Sequence, residues 1–267
     1  DNMKTITSRA NTLGKEIIKL NKGTNRKVAD VFLIDGEREI RMAIQEKIKI
    51  KEIFYCPELT KTKEQKIAKE FLSQNITTVS KEVFSKISYK ENPDGFLALA
   101  DKYKFELDDI KLKKPALIII LEAIEKPGNL GAIIRTAVAA GADLIICTET
   151  KIDFFNPNVI RASEGLLFAI PLVNSNNLDV YNWLKQRNIN SLATSTQATS
   201  NYLDVDLTDS LALILGAEDQ GLQDFWLKKA NKKVKIMMNK KMDSLNLSVS
   251  AAIVIFEALR QRRNQKC

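Results

Sequence analysis

Histidine is absent from all 267 residues. That one absence removes Ser-His-Asp triads, imidazole general bases and histidine-ligated metals. Only three cysteines occur, Cys56, Cys147 and Cys267, far apart and without a CxxC pair. They exclude a disulfide framework or a structural zinc site and point to a reducing cytoplasm. Long apolar runs are lacking too. The longest, residues 116–121, is strand-sized, so no membrane span is expected. The start of the chain lacks the continuous apolar segment of a signal peptide. Neither GxGxxG nor a loop ending in Gly-Lys-Ser/Thr occurs, which argues against a Rossmann-type dinucleotide enzyme and a P-loop NTPase.

What is present supports a folded, basic protein. Hydrophobic residues make up 45% of the chain, enough to bury a core, and the net charge is +8 with a sequence pI near 9.2. A basic chain favours a polyanionic partner, most simply nucleic acid. The chemistry left to it uses Arg, Lys, carboxylates, amides and hydroxyls, or a cofactor that carries its own reactivity.

The pattern predicts two α/β domains, 1–109 and 115–267. In the first, strands at 31–34, 50–55, 76–79 and 95–100 alternate with helices at 8–20, 36–46, 61–72 and 81–87. The polar, lysine-rich stretch 107–115, punctuated by Pro115, reads as a linker. The second domain opens on 116–121, apolar without alternation, as expected of a parallel strand buried on both faces. Strands and helices then alternate to a long terminal helix beginning near Ser244. Trp183 and Trp226 sit in helical patterns and read as core.

Three stretches carry more than packing needs. Asn129-Leu130-Gly131-Ala132-Ile133-Ile134-Arg135-Thr136 places a permanent cation in an otherwise greasy helix, expected to be buried on most faces. A buried Arg135 needs acceptors or an anionic ligand; otherwise its end snorkels to water. Gly216-Ala217-Glu218-Asp219-Gln220-Gly221-Leu222 follows the strand 213–215, with glycines at both ends that let the backbone approach a ligand. In open α/β sheets ligands sit at such carboxyl ends. Ser244, Asn246 and Ser248 cluster before the terminal helix, more polar groups than one N-cap requires.

Together these stretches resemble the TrmH/SpoU family of RNA ribose 2'-O-methyltransferases, in the SPOUT class. Family motif N-x-G-x-x-x-R-T matches Asn129, Gly131, Arg135 and Thr136. G-x-E-x-x-G-L matches Gly216, Glu218, Gly221 and Leu222. I-x-M followed by S-L-N-x-S matches Ile236, Met238, Ser244, Leu245, Asn246 and Ser248. Arg161-Ala162-Ser163-Glu164-Gly165 is similar to the family's R-A-S-x-G. The first domain is more loosely similar to the family's ribosomal-protein-like substrate-binding module, through Ser8, Arg9 and Asn11, the stretch 32–36, and Asn92-Pro93-Asp94-Gly95. Met237 stands where the family usually has Pro, and Leu247 replaces a common Val.

The resemblance implies a knotted parallel-sheet catalytic domain preceded by a smaller α/β RNA-binding domain. It implies S-adenosylmethionine bound by Thr194, Leu215, Gly216, Gly221, Ile236, Met238 and Leu245. It implies a catalytic set of Arg135, Asn129, Glu218, Ser244 and Asn246, and a homodimer packed through the knot. A guanidinium stays protonated, so Arg135 reads as a phosphate anchor and charge stabiliser rather than a base. Expected RNA contacts are Arg9, Lys15, Lys19, Lys22, Arg26 and Arg161. The basic tail, Arg260, Arg262, Arg263 and Lys266, reads as a solvated helix end. Ribosomal (23S) RNA is the expected substrate. The alternatives are a transfer RNA 2'-O-methyltransferase and a non-catalytic RNA-binding assembly factor.

Overall fold

The computed structural model describes residues 4–6, 12–60, 71, 74–239 and 241–264, with side chains from residue 16 onward. The expected helix at 61–72 lies outside the described residues except for Phe71. Two compact units form: residues 1–103 with 153–169, and residues 104–152 with 170–267. Among the described residues no helix is long and apolar enough to cross a membrane.

The first unit holds a five-stranded mixed sheet. Its strands are β1 (Lys4–Ile6), β2 (Val31–Asp35), β3 (Ile50–Tyr55), β4 (Ile76–Val79) and β5 (Phe96–Asp101), in the order β1-β4-β3-β5-β2. Helices α1 (Thr12–Leu20), α2 (Gly23–Val28), α3 (Glu37–Gln45) and α4 (Lys81–Ile87) accompany it. Ile17 and Leu20 of α1 join Val83, Phe84 and Ile87 of α4 over Leu33, Phe54 and Leu97 of the sheet. Asp94, from the Asn-Pro-Asp-Gly stretch, accepts from the Glu37 N–H at the start of α3, 3.2 Å away.

The expected domain limits differ from this partition in two places. Residues 153–169, which carry Arg161 and Gly165, belong to the first unit. Phe155 lies 4.3 Å from the Phe32 ring, and the short helix α6 (Pro157–Ala162; α5 follows below) leads to Gly165. Gly165 has φ +80°, and a Cβ there would sit 3.0 Å from Met42 Cβ and 3.1 Å from Glu39 Cα, both on α3. The glycine of R-A-S-x-G is therefore a close-packing position. Residues 104–112, the end of the expected first domain and part of the expected linker 107–115, instead lie along the second unit. Phe105, Leu107, Ile110 and Leu112 pack on its core, and Trp183 Nε1 donates to the Leu107 carbonyl at 3.0 Å. Their apolar side chains alternate with charges, and that alternation reads as polar in a composition count.

Arg26 was expected on an RNA-facing stripe. It is buried, and its Nε donates to Asp153 at 2.6 Å while Nη1 donates to the Leu20 carbonyl at 3.2 Å. Replacing it with Ala leaves Asp153 as an unpaired, nearly buried carboxylate. The expected result is a loss of about 3–5 kcal/mol from the first unit, read by urea unfolding. A change under about 1 kcal/mol, the range of surface pairs, would show the pair to be solvated.

The second unit is built on seven parallel strands in the order β10-β12-β9-β11-β6-β7-β8. They are β6 (Leu117–Glu122), β7 (Leu144–Thr148), β8 (Leu172–Ser175), β9 (Asn190–Thr194), β10 (Ser200–Asn201), β11 (Leu211–Leu215) and β12 (Lys232–Lys235). Every residue of β6, β7 and β11 is buried, as a sheet covered on both faces requires. Helices α5 (Pro127–Ala139), α7 (Asn177–Gln186), α8 (Asp224–Lys229) and α9 (Leu247–Asn264) flank it. Trp183 and Trp226 are both core. From β6 the chain steps outward to β7 and β8, then crosses back so that β11 pairs with β6, Leu215 opposite Leu121. That reversal is a topological switch point, where open α/β sheets form a crevice.

Candidate active site

The loops that leave β6 and β11 open at this switch point. The β6 loop leads into α5, which starts with Pro127 in its first turn. Leu130, Ile133, Ile134 and Ala137 of α5 are buried at helical spacing, which turns Lys126 and Asn129, three residues apart, toward the β11 loop. There Asn129 Nδ2 donates to Glu218 Oε1, and Lys126 Nζ pairs with Glu218 Oε2. Asn246 Nδ2 reaches the same pair, at 3.1 Å from Glu218 Oε1 and 3.3 Å from Asn129 Oδ1. Three motifs, the outermost 117 residues apart, thus meet in one hydrogen-bonded cluster.

Asn246 works with both ends of its amide. Its Oδ1 accepts from the Ser248 N–H at 2.9 Å and the Ser248 hydroxyl at 2.6 Å, capping α9. Its Nδ2 is then directed at Glu218. An aspartate would cap the helix but supply no such donor.

Two clefts meet at Ala217, Glu218, Asp219, Gln220 and Leu247. The smaller, about 90 Å³, adds Lys126 and Asn129. The larger, about 380 Å³, lies at the carboxyl ends of β9, β11 and β12 and is of small-molecule size. Thr194, Leu215, Gly216, Gly221, Ile236, Met238 and Leu245 all line it, together with Ser244. Gly216 sits where a Cβ would fall 2.1 Å from Gly221 C and 2.2 Å from Leu222 N. Apolar walls suited to an adenine ring adjoin Glu218, Asp219 and Asp243, carboxylates suited to a cationic amino-sulfonium ligand. The donor set fits S-adenosylmethionine.

The loop that carries Glu218 is anchored from below. Glu122, fully buried at the end of β6, accepts from the Gln223 N–H at 2.7 Å and from Asn177 Nδ2 at 2.6 Å. Asn177 Oδ1 in turn accepts from Trp226 Nε1 at 2.7 Å. Burial pushes the Glu122 carboxyl up, and the Gln223 and Asn177 donors partly offset that. A raised carboxyl contributes stability that is complete below its unfolded value and declines as pH rises through its folded value. Glu122→Gln therefore flattens the fall of stability with rising pH from the mildly acidic range. It also faces one donor with another, which weakens cofactor binding through the loop. Thermal unfolding across pH and calorimetry with the cofactor check this; an unaltered pH slope would show Glu122 to be uninvolved.

Other expected site residues fall elsewhere. Arg135 is exposed on α5 and lines neither cleft. The expected burial of α5 on most faces is thus corrected: Ala132, Arg135, Thr136 and Ala139 make its second face, where two alanines and a threonine demand little cover and the arginine reaches water. Lys19 and Lys22 are exposed, as an RNA contact requires. Arg9 and the Lys15 side chain lie outside the described residues. Arg161 is exposed and donates to Asn158 at 3.3 Å. The basic tail is not simply solvated. Arg260 pairs with Glu257 at 2.7 Å, and Arg262 donates to the Leu207 and Ala116 carbonyls at 3.0 and 2.9 Å. Lys126 was missed by sequence reading, although its place one turn before Asn129 on the same helix face was a usable signal. Glu218 holds its ammonium above the usual lysine range.

Comparisons with known proteins agree with this geometry. Residues 116–256 match the SpoU rRNA methylase family, and residues 11–98 match the MRM3-like substrate-binding domain. The 23S rRNA (guanosine(2553)-2'-O)-methyltransferase RlmP of Bacillus subtilis is 29% identical over 95% of this chain and 98% of its own. The 23S rRNA (uridine(2479)-2'-O)-methyltransferase of Streptomyces viridochromogenes is 26% identical over 96% of this chain and 92% of its own. A crystal structure of an RNA 2'-O ribose methyltransferase superposes with TM-score 0.85 and 36% identity, covering 97% of this chain and 99% of that one. An AdoMet-bound rRNA methyltransferase from Sinorhizobium meliloti gives TM-score 0.86 and 30% identity, covering 97% and 98%. With its motifs in order, its cleft formed and 97% of its length matched by a solved RNA 2'-O ribose methyltransferase, the chain belongs to the SpoU rRNA methylase family of RNA ribose 2'-O-methyltransferases.

Proposed function

We propose that this protein methylates a ribose 2'-hydroxyl of 23S ribosomal RNA, with S-adenosylmethionine held in the larger cleft. The observation that carries the reading is the bonding of Asn129, Glu218 and Asn246 to one another at the seam between the two clefts. When bound, the cofactor supplies an activated methyl group, so the protein's task is to orient the hydroxyl and let its proton leave. Gly216, Ile236 and Leu245 hold the adenosine end against backbone. Asn129 and Asn246 orient the incoming hydroxyl at the smaller cleft. Glu218 is the anion that faces both clefts and accepts the hydroxyl's hydrogen bond; Lys126 pairs with it. Two full-length relatives named as 23S rRNA methyltransferases support the choice of RNA.

The working form in this reading is a homodimer, with the trefoil path of the family through the segment after β11. An exposed apolar surface supports it: Val249 and Phe256 on α9, with Leu203, Met237 and Met242 beside it, are each about half exposed or more. Arg135 then serves as phosphate anchor and charge stabiliser at the dimer surface.

The test is methyl transfer from labelled cofactor to ribosomal RNA and ribosomal particles from cells that lack this protein, followed by nuclease mapping. Label at one 2'-O-methylated nucleotide of 23S RNA is the expected result. Label on transfer RNA alone would move the substrate, and no transfer to any cellular RNA would overturn the reading. Sedimentation at twice the 30.1 kDa chain mass is expected alongside.

A further inference from the structure

The charge of this chain is concentrated. Residues 228–241 contain seven lysines and no aspartate or glutamate, in a protein whose net charge is +8. The stretch runs from the end of α8 through β12 into the segment that walls the cofactor cleft. Two of its lysines are occupied locally. Lys228 pairs with Asp224 at 2.6 Å, and Lys229 Nζ lies 5.7 Å from the centre of the Tyr181 ring. Lys240 lies outside the described residues. Lys232, Lys233 and Lys235 have no ion-pair partner among the described residues; Lys232 acts on Asp206 only through space. Like charges left unneutralised at this density repel one another, a cost that a polyanion would relieve.

These three lysines stand beside a shaped surface. β12 is flanked by β9 and by the two-residue edge strand β10. Lys232 and Lys233, both exposed, line a trough of about 420 Å³ with Gln197, Thr199 and Ser200. Ser195, Gln197 and Leu227 line both this trough and the cofactor cleft, and Lys235 stands on the cleft side. Ammonium groups, hydroxyls and an amide thus lead continuously from the sheet edge to the cleft, with no carboxylate among the trough's side chains. That inventory suits a sugar-phosphate backbone, whose phosphates take point charges and whose 2'-hydroxyls take Ser, Thr and Gln.

We propose that Lys232, Lys233 and Lys235, with the hydroxyl-lined trough beside β12, form a phosphate track that carries the substrate RNA strand along the catalytic unit to the cofactor cleft. The track rests on the RNA reading above. It adds a contact surface on the catalytic unit beyond the phosphate anchor proposed at Arg135.

The test compares wild type with K232E/K233E, neither position lining the cofactor cleft. Cofactor affinity by calorimetry is the control for folding and is expected to be unchanged. Binding to a ribosomal RNA fragment is measured across salt. Each lost phosphate contact removes roughly 0.7–0.9 from the slope of log affinity against log salt, so the variant's slope falls by about 1.4–1.8. KM for RNA rises on the order of tenfold, and K232R/K233R restores both. An unchanged slope and KM, with wild type binding and methylating RNA, overturns the track alone. So does a variant that keeps its RNA slope but loses ribosomal particles, which would assign the lysines to an acidic protein surface. A wild type that binds no RNA overturns the track together with the reading beneath it.

Discussion

Gly216→Ala is expected to weaken S-adenosylmethionine binding on the order of a hundredfold, about 3 kcal/mol. The reason is steric and local. A Cβ at this position would fall 2.1 Å from Gly221 C and 2.2 Å from Leu222 N. Both are backbone atoms, so no flexible side chain can swing aside. The loop must instead open, and that displaces Leu215, Gly221 and Glu218, all of which line the cleft. The Gln223 N–H that Glu122 anchors lies in the same stretch, so the strain reaches the buried network as well. Calorimetry with the cofactor reads the effect directly. An affinity within about twofold of wild type would mean that the ligand does not depend on this loop.

Removing the Glu218 carboxylate is the second large change. Lys126, Asn129 and Asn246 all donate to it. Glu218→Ala leaves those three donors without their shared acceptor and takes the anion away from the seam between the clefts. Turnover is expected to fall by roughly 10²–10⁴-fold, the range for a group that assists proton transfer. The stability change should be small by comparison, because Lys126 and Asn246 are exposed and water can replace their partner. Single-turnover kinetics at saturating RNA separate the two effects. A turnover near wild type would remove Glu218 from the chemistry. Glu218→Gln is the useful companion: it keeps the shape and one acceptor, loses the charge, and isolates the contribution of the anion.

Much of this protein could be read along the chain, for reasons that are physical. Strands β6 and β11 are apolar without alternation because both sheet faces are covered, and that pattern is local. The cofactor cleft was legible because its walls come from strand ends and glycine-bounded loops, and such loops carry their signature in consecutive residues. The glycine pair at 216 and 221 is the clearest case: one meets the other's backbone, and the other takes φ +66°. Asn246 was legible as more than a cap because three polar groups crowd one helix start.

Other features depended on which distant groups meet. Arg26 looks like a surface cation in a basic helix until the chain brings Asp153, 127 residues away, against it. Residues 153–169 follow a strand of the second unit yet pack on the first, because Phe155, Gly165 and Phe168 find their partners at Phe32 and α3. Arg135 looks buried because its neighbours are apolar, but the large ones, Leu130, Ile133 and Ile134, are turned to the core and leave Arg135 on the other face of α5. The sequence by itself determined the class of fold, the family and the cleft, since each is written in short-range pattern. Only the tertiary structure decided which charges are neutralised and which face a ligand, because an ion pair or an open trough is a relation between residues far apart in the chain.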